Sequence, residues 1–331
     1  MDFAITFKGD ISPQRTVALA KQAEVGGFKY AWFFDSHVLW RDCYAMMALC
    51  MANTENMIYG PLVTNPGVRE WSVAASLFAT LCVQSGNRFE LGLGRGDSSR
   101  RMLGKKPMTV ANMVRFTHAV KGMVRGDKVE YDGTEAQFPW ANGYDMPVHI
   151  AAYGPKALKG AGEAGDGLVI QLADVGLVKY FSNQAISAGE AAGRDMSNYQ
   201  IMSAAPVWVG DMEKAREQTR WFPAMVGNHV ADIVEKYGMN DPNIPSHFTA
   251  YIEGRKGYDY KEHADKDADH LDFITEETVD AFGILGPVEA HVEKLKELEA
   301  AGVTQFNIYL MCGEEERIVA EYVEHVIPHF Q

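Results

Sequence analysis

The stretch Val148–Leu172, VHIAAYGPKALKGAGEAGDGLVIQL, reads as one complete strand–helix–strand unit. A short apolar run ends in small residues, Gly154-Pro155 opens a helix, Gly-Asp-Gly at 165–167 closes it, and a second apolar run follows. Short apolar runs bounded by Gly and Pro mark buried strands, and proline belongs in the first helical turn. The glycines and alanines on both sides of this helix leave the main chain approachable. Either two elements pack very closely here or a ligand reaches backbone N–H groups.

The same alternation runs outward in both directions. FAITF is followed by a helix from Pro13 to about Val25, YAWFF by one near Cys43 to Asn53, MIYGPLV by Trp71 to Gln84, and FELGLG by a helix around Pro107 to Val124. Beyond the quoted unit come Val175 to Ala192, MSAAPVWV with a helix from Asp211, and QFNIYL with a helix from Glu314 to Val326. Val288, Val292, Leu295 and Leu298 recur at helical spacing between Gly286-Pro287 and Gly302, so one face of that helix lies on the body. About eight βα pairs predict a closed (β/α)8 TIM barrel rather than an open doubly wound sheet. Two stretches break the rhythm. A hairpin around Asp132-Gly133 precedes strand 5, and an insertion at about 221–282, after strand 7, reads as a lid over a single domain spanning 1–331.

The formal charge of −13 argues against a nucleic-acid or anionic-membrane partner, since either needs a basic face. The N-terminal stretch MDFAITFKGDISPQ lacks a basic and apolar leader, and no apolar run approaches the roughly 18 residues of a membrane span, which points to a soluble cytoplasmic protein. Cys43, Cys50, Cys82 and Cys312 form no Cys-x-x-Cys pair and read as reduced core thiols. No metal site is expected: the first strand lacks His-x-His, and the dense group HADKDADH, His263 to His270, reads equally as a hydrated helix approach inside the insertion.

In such a barrel the chemistry sits where strands end. His37 follows strand 2 in WFFDSHVLW and is expected to point into the mouth as the proton-handling group, beside Asp35 and Ser36 and with Trp40 as an aromatic wall. The alternative is a structural histidine bonded to a loop carbonyl. Arg95, Arg100, Arg101, Lys105 and Lys106 cluster after strand 4 and offer a seat for an anionic cofactor or substrate, or simply a solvated charge run. The Gly-x-Gly-x-Gly there is not a dinucleotide fingerprint, because the third glycine is misplaced.

Taken together, DSHVLWRD, GPLVTNP, GLGRGD, the Ala151–Gly167 stretch and VDAFGILGPVEAHVEKLKELEAAGVTQF resemble the bacterial luciferase-like flavin and deazaflavin enzymes, most closely the methylenetetrahydromethanopterin reductase branch. The resemblance implies a tricyclic ring at the barrel mouth and a non-proline cis peptide at Leu62–Val63. It also implies that Asn65 bonds the ring edge, that Ala152, Tyr153 and Gly154 face the ring, that Ile170 and Gln171 close the far side, and that Asp35, Ser36 and Arg95 belong to the cofactor site. Asp97 is implied as a second acid, Tyr251 and Arg255 join Trp40 as substrate residues, and a homodimer through early barrel helices is expected. The implied activity is hydride transfer between the deazaflavin coenzyme F420 and a small organic substrate. The alternatives are a reduced-FMN monooxygenase and a non-catalytic flavin-binding barrel.

Overall fold

Helix starts follow local capping chemistry. Ser12, Asp42, Glu70, Thr109 and Asp174 each accept a backbone N–H of the first helical turn, and Pro13 and Pro155 occupy first-turn positions where no N–H is needed. The computed structural model describes residues 1–227 and 274–331. The first half of the barrel runs β1 (Asp2–Phe7), α1 (Pro13–Val25), β2 (Tyr30–Phe33), α2 (Cys43–Met51), β3 (Ile58–Pro61), α3 (Trp71–Ser85), β4 (Leu91–Leu93), α4 (Ser98–Arg101) and α5 (Val110–Arg125). Then come β5 (Val129–Tyr131), β6 (Thr134–Ala136), β7 (Val148–Ala151), α6 (Pro155–Ala164), β8 (Gly167–Ile170), α7 (Val175–Ala191), β9 (Gln200–Ala205), β10 (Val207–Val209), α8 (Met212–Thr219), β11 (Ile284–Gly286) and β12 (Gln305–Leu310). Helices Glu276–Phe282, Val288–Ala300 and Glu315–Glu321 flank the last two strands.

Eight parallel strands form the wall in the order β3-β2-β1-β12-β9-β8-β7-β4. The two outer strands meet through single bridges, Tyr59 with Phe89 and Thr64 with Leu93, so the barrel is nearly closed. Glycine makes that seam possible. A Cβ at Gly60 would lie 2.1 Å from the Glu90 carbonyl oxygen, and one at Gly92 2.2 Å from that of Pro61. The strands are buried along almost their whole length, as expected when helices cover the outside and side chains fill the lumen.

The lumen carries polar side chains that bond one another. Trp32 donates to Gln305 at 2.8 Å and sets its ring edge-on to His149, whose Nε2 lies 2.7 Å from Glu90. Outside the barrel, the helix Val288–Ala300 buries Leu295, Leu298 and also His291, which lies 2.8 Å from the Tyr322 hydroxyl and 3.1 Å from the Trp208 carbonyl.

The expected hairpin is β5–β6, turning at Asp132 and Gly133, both with positive φ. MSAAPVWV, read from sequence as one strand, is two. Pro206 has no N–H to continue the ladder, so β9 stays in the barrel while β10 leaves it and pairs in parallel with β11. Trp221, Phe222, Met225 and Val226 are buried, as are Val279 and Phe282, so both described ends of 221–282 belong to the core. Residues 228–273, and with them Tyr251, Arg255 and the HADKDADH stretch, lie outside the described residues. No described helix is long and apolar enough to cross a membrane.

Candidate active site

At the C-terminal ends of the strands the loops enclose a cavity of about 970 Å³. Its wall is built in sectors. Phe34, Asp35 and Ser36 come from the loop after β2, Leu62 and Val63 from the loop after β3, residues 94–97 from the loop after β4, and Ser98, Ser99 and Arg101 from α4. Ala151 ends β7 and residues 152–154 follow it, and Gln171 follows β8. A volume at the upper end of ligand-pocket sizes, at the open face of a parallel barrel, marks the principal binding site.

The β3 sector is a rigid ridge. The Leu62–Val63 peptide bond is cis. Leu62 N–H donates to Phe33 at 2.7 Å, Thr64 N–H to Gly92 at 3.0 Å, and Gly94 N–H back to Thr64 at 2.8 Å, which welds the ridge to both neighbouring strands. Asn65 stands just behind the wall rather than on it. Its amide donates to Ser99 Oγ at 2.9 Å and its oxygen accepts the Gly67 N–H at 3.0 Å.

The β7 sector presents almost bare main chain. Alanine and glycine occupy 151, 152 and 154, Gly154 gives α6 no side-chain cap, and Lys156 lines the cavity beside the helix start. The Gln171 sector is polar but fixed: the Tyr153 hydroxyl accepts the Gln171 N–H at 2.8 Å, and the Gln171 amide donates to the Tyr309 hydroxyl at 2.7 Å. Burial holds both phenols well above the ordinary tyrosine pKa, so they stay protonated. Ile170 is fully buried within β8 and does not reach the wall.

Two carboxylates stand on the described wall, and they differ. Asp97 precedes α4 and pairs with Arg101 one turn on. The Asp35 side chain is only 1 % exposed and accepts from both Thr64 Oγ1 and Arg69 Nη1 at 2.6 Å. Burial is the largest single influence and works against the Arg69 charge, yet the hydrogen bond to Asp35 and the Asp35 charge together outweigh it and hold the guanidinium above its usual pKa.

The expectation for His37 is corrected. Its side chain is exposed on a turn and is not among the described lining residues, because the chain turns outward directly after Ser36. The position next to the aspartate belongs to Ser36, which is buried and shares a 2.6 Å hydroxyl–hydroxyl bond with Ser98. Trp40 packs its ring on Phe34 at 5.5 Å and supports the wall from behind.

Two members of the basic run are held by backbone carbonyls. Arg95 Nε donates to the Met108 carbonyl at 2.6 Å, and Arg100 donates to those of Gly67 and Lys106 at 2.7 and 2.8 Å. Arg95 and Arg100 therefore pin the 94–109 loop, and Arg95, Arg101 and Lys156 are the cations on the described wall. Sequence reading missed Ser98, Lys156 and Arg69. Helix-start position gave a signal for Lys156, but nothing local announced that Arg69 reaches back to Asp35.

These features suit a flat heterocycle with an anionic arm. The ridge at Leu62 and Val63 gives it a seat, the Ala151–Gly154 main chain is approachable, Lys156 stands at an uncapped helix start, and Arg95 lines the same cavity.

Comparison with known proteins agrees. A profile of the family described as luciferase-like monooxygenase matches residues 1–305. The 5,10-methylenetetrahydromethanopterin reductase of Archaeoglobus fulgidus is 30% identical over 323 residues, covering 92% of both chains. The F420-dependent glucose-6-phosphate dehydrogenase of Mycolicibacterium fortuitum is 31% identical over 256 residues, covering 70% of this chain and 74% of its own. Among solved structures, the coenzyme F420 dependent tetrahydromethanopterin reductase from Methanopyrus kandleri superposes with a TM-score of 0.80 at 23% identity, covering 100% of this chain and 99% of its own. On the fold, the site and these matches together, the chain belongs to the luciferase-like monooxygenase family.

Proposed function

We propose that this protein is an oxidoreductase that transfers a hydride between the deazaflavin coenzyme F420 and a small organic substrate. The observation that carries the reading is the wall itself, a fixed ridge at Leu62 and Val63 facing approachable main chain at Ala152, Tyr153 and Gly154. Relatives named as F420-dependent enzymes support the choice of coenzyme. Leu62 and Val63 would seat the ring, Gln171 its edge, and Arg95 and Lys156 the anionic arm. Bound there, the coenzyme supplies or takes up the hydride, and the protein supplies orientation and proton handling. Asp97 is the assigned proton-handling group, since its side chain is 23 % exposed at the wall whereas that of Asp35 is 1 % exposed.

The test is titration of the apo-protein with F420 and with FMN, followed by oxygen-uptake measurement on the reduced complexes. The reading expects tight F420 binding and no oxygen consumption. A preference for FMN with oxygen uptake would overturn it in favour of a reduced-FMN monooxygenase, the chemistry for which the family is described.

A homodimer through the early barrel helices accompanies this reading. Leu49 on α2 and Val73 and Val83 on α3 are exposed on otherwise apolar helices. Leu49→Glu is expected to shift sedimentation from dimer to monomer, and a wild-type monomer would remove the proposal.

A further inference from the structure

Asp35 lines the cavity, yet both of its carboxylate oxygens are engaged by protein groups. Its Oδ2 accepts from Thr64 Oγ1 and Arg69 Nη1, both at 2.6 Å, and its Oδ1 faces Arg69 Nη2 at 3.3 Å. Arg69 continues the chain of contacts. Its Nη2 donates to Asp42 Oδ2 at 3.1 Å, and its guanidinium lies 4.5 Å from the centre of the Tyr44 ring. Asp42 in turn caps α2 through the N–H groups of Tyr44 and Ala45, both at 3.0 Å.

Thr64, the other partner, sits where the barrel closes. Its N–H and C=O bond Gly92 and Gly94 across the β3–β4 seam. One carboxylate therefore ties together the loop after β2, the ridge after β3 and the start of α2.

From this we infer that Asp35 is a positioning residue, a buried anion paired with Arg69 that sets the ridge at Leu62–Asn65 against the β2 loop, and is not an acid or base of the reaction. Its effect on the coenzyme passes through Thr64. The inference rests on the proposed coenzyme reading only for the ligand that reports it. Removing one partner of a buried pair leaves the other uncompensated, whereas replacing both with neutral groups of similar shape removes that penalty.

The experiment compares Asp35→Ala, Asp35→Asn/Arg69→Gln and Thr64→Val by two readouts, backbone hydrogen exchange and coenzyme affinity from about pH 3.5 to 8, a range that spans the ordinary carboxylate and histidine pKa values. Asp35→Ala is expected to speed exchange at Leu62, Thr64 and Gly94 by at least about tenfold while β1 and β12 keep their protection. It is also expected to weaken F420 binding by about tenfold with no change in how affinity varies with pH. The double variant should recover most of both losses. Thr64→Val keeps the ion pair, so it reports on the tether even if Asp35→Ala does not fold, and it should loosen the same amides.

Unchanged exchange at the seam in Asp35→Ala and Thr64→Val overturns the inference. So does a double variant that protects the seam fully yet binds as weakly as Asp35→Ala, or an altered pH dependence. If the wild type binds neither F420 nor FMN, the proposed function fails while the exchange comparison still decides the role of Asp35.

Discussion

Asp97 and His37 belong to neighbouring loops of the mouth, and their surroundings assign them different work. Asp97 lines the cavity and pairs with Arg101. His37 turns outward past Ser36. Asp97→Asn is expected to lower turnover by about 100-fold with little change in coenzyme affinity, the usual size of a lost proton-handling group. His37→Ala is expected to keep turnover within about threefold, below the range for such a group. Steady-state rates with the coenzyme that binds, alongside the binding titration, check both. The opposite ranking would return His37 to the site. The difference between these residues was not legible in DSHVLW, because a one-residue shift in where a chain leaves a strand decides which side chain faces in.

Among the elements, the β3–β4 seam is the place where geometry leaves least freedom. Gly92→Ala drives a methyl against the Pro61 carbonyl, backbone that has no rotamer to yield. It is expected to cost about 2–3 kcal/mol in denaturant unfolding, the size of an overpacked core position. Gly176→Ala is the control, since its Cβ would meet only Asp174 Oδ1 at 3.4 Å. It should leave stability unchanged or raise it by up to about 1 kcal/mol, as alanine does in a helix. Equal costs for the two would refute the steric account of the seam. Most helices were readable from caps and periodicity: α1, α3, α6 and α7 start and stop within a few residues of their sequence limits. The split of MSAAPVWV was signalled only by Pro206. Where β10 goes after leaving the barrel depended on β11, which lies far along the chain beyond the insertion and pairs Ile284 with Val207. No local pattern can specify a partner at that separation.

At the scale of the whole molecule, His291 gives stability a defined acid limit. Burial between Tyr322 and Trp208 lowers its pKa to about 4, so the folded state holds it neutral where the unfolded chain would take up a proton. Stability from this group is fully present above the unfolded value near 6.5 and is lost as pH falls from there towards about 4. The full loss is about 3 kcal/mol. Urea unfolding at pH 7 and near the lower limit should show that decline, and His291→Gln should flatten it. An equal decline in the variant would assign the acid sensitivity elsewhere.

What the sequence by itself determined is the alternation of eight βα units, the inserted hairpin and the small-residue main chain after β7. These follow from hydrophobic period, caps, glycine and proline, all of which act within a few residues of where they are read. What only the tertiary structure decided is who meets whom at the mouth: Asp35 with Arg69 and Thr64, Ser36 with Ser98, and His37 with solvent. Those choices belong to barrel closure, which brings loops from separate strands within hydrogen-bond distance and leaves no trace in the spacing along any one of them.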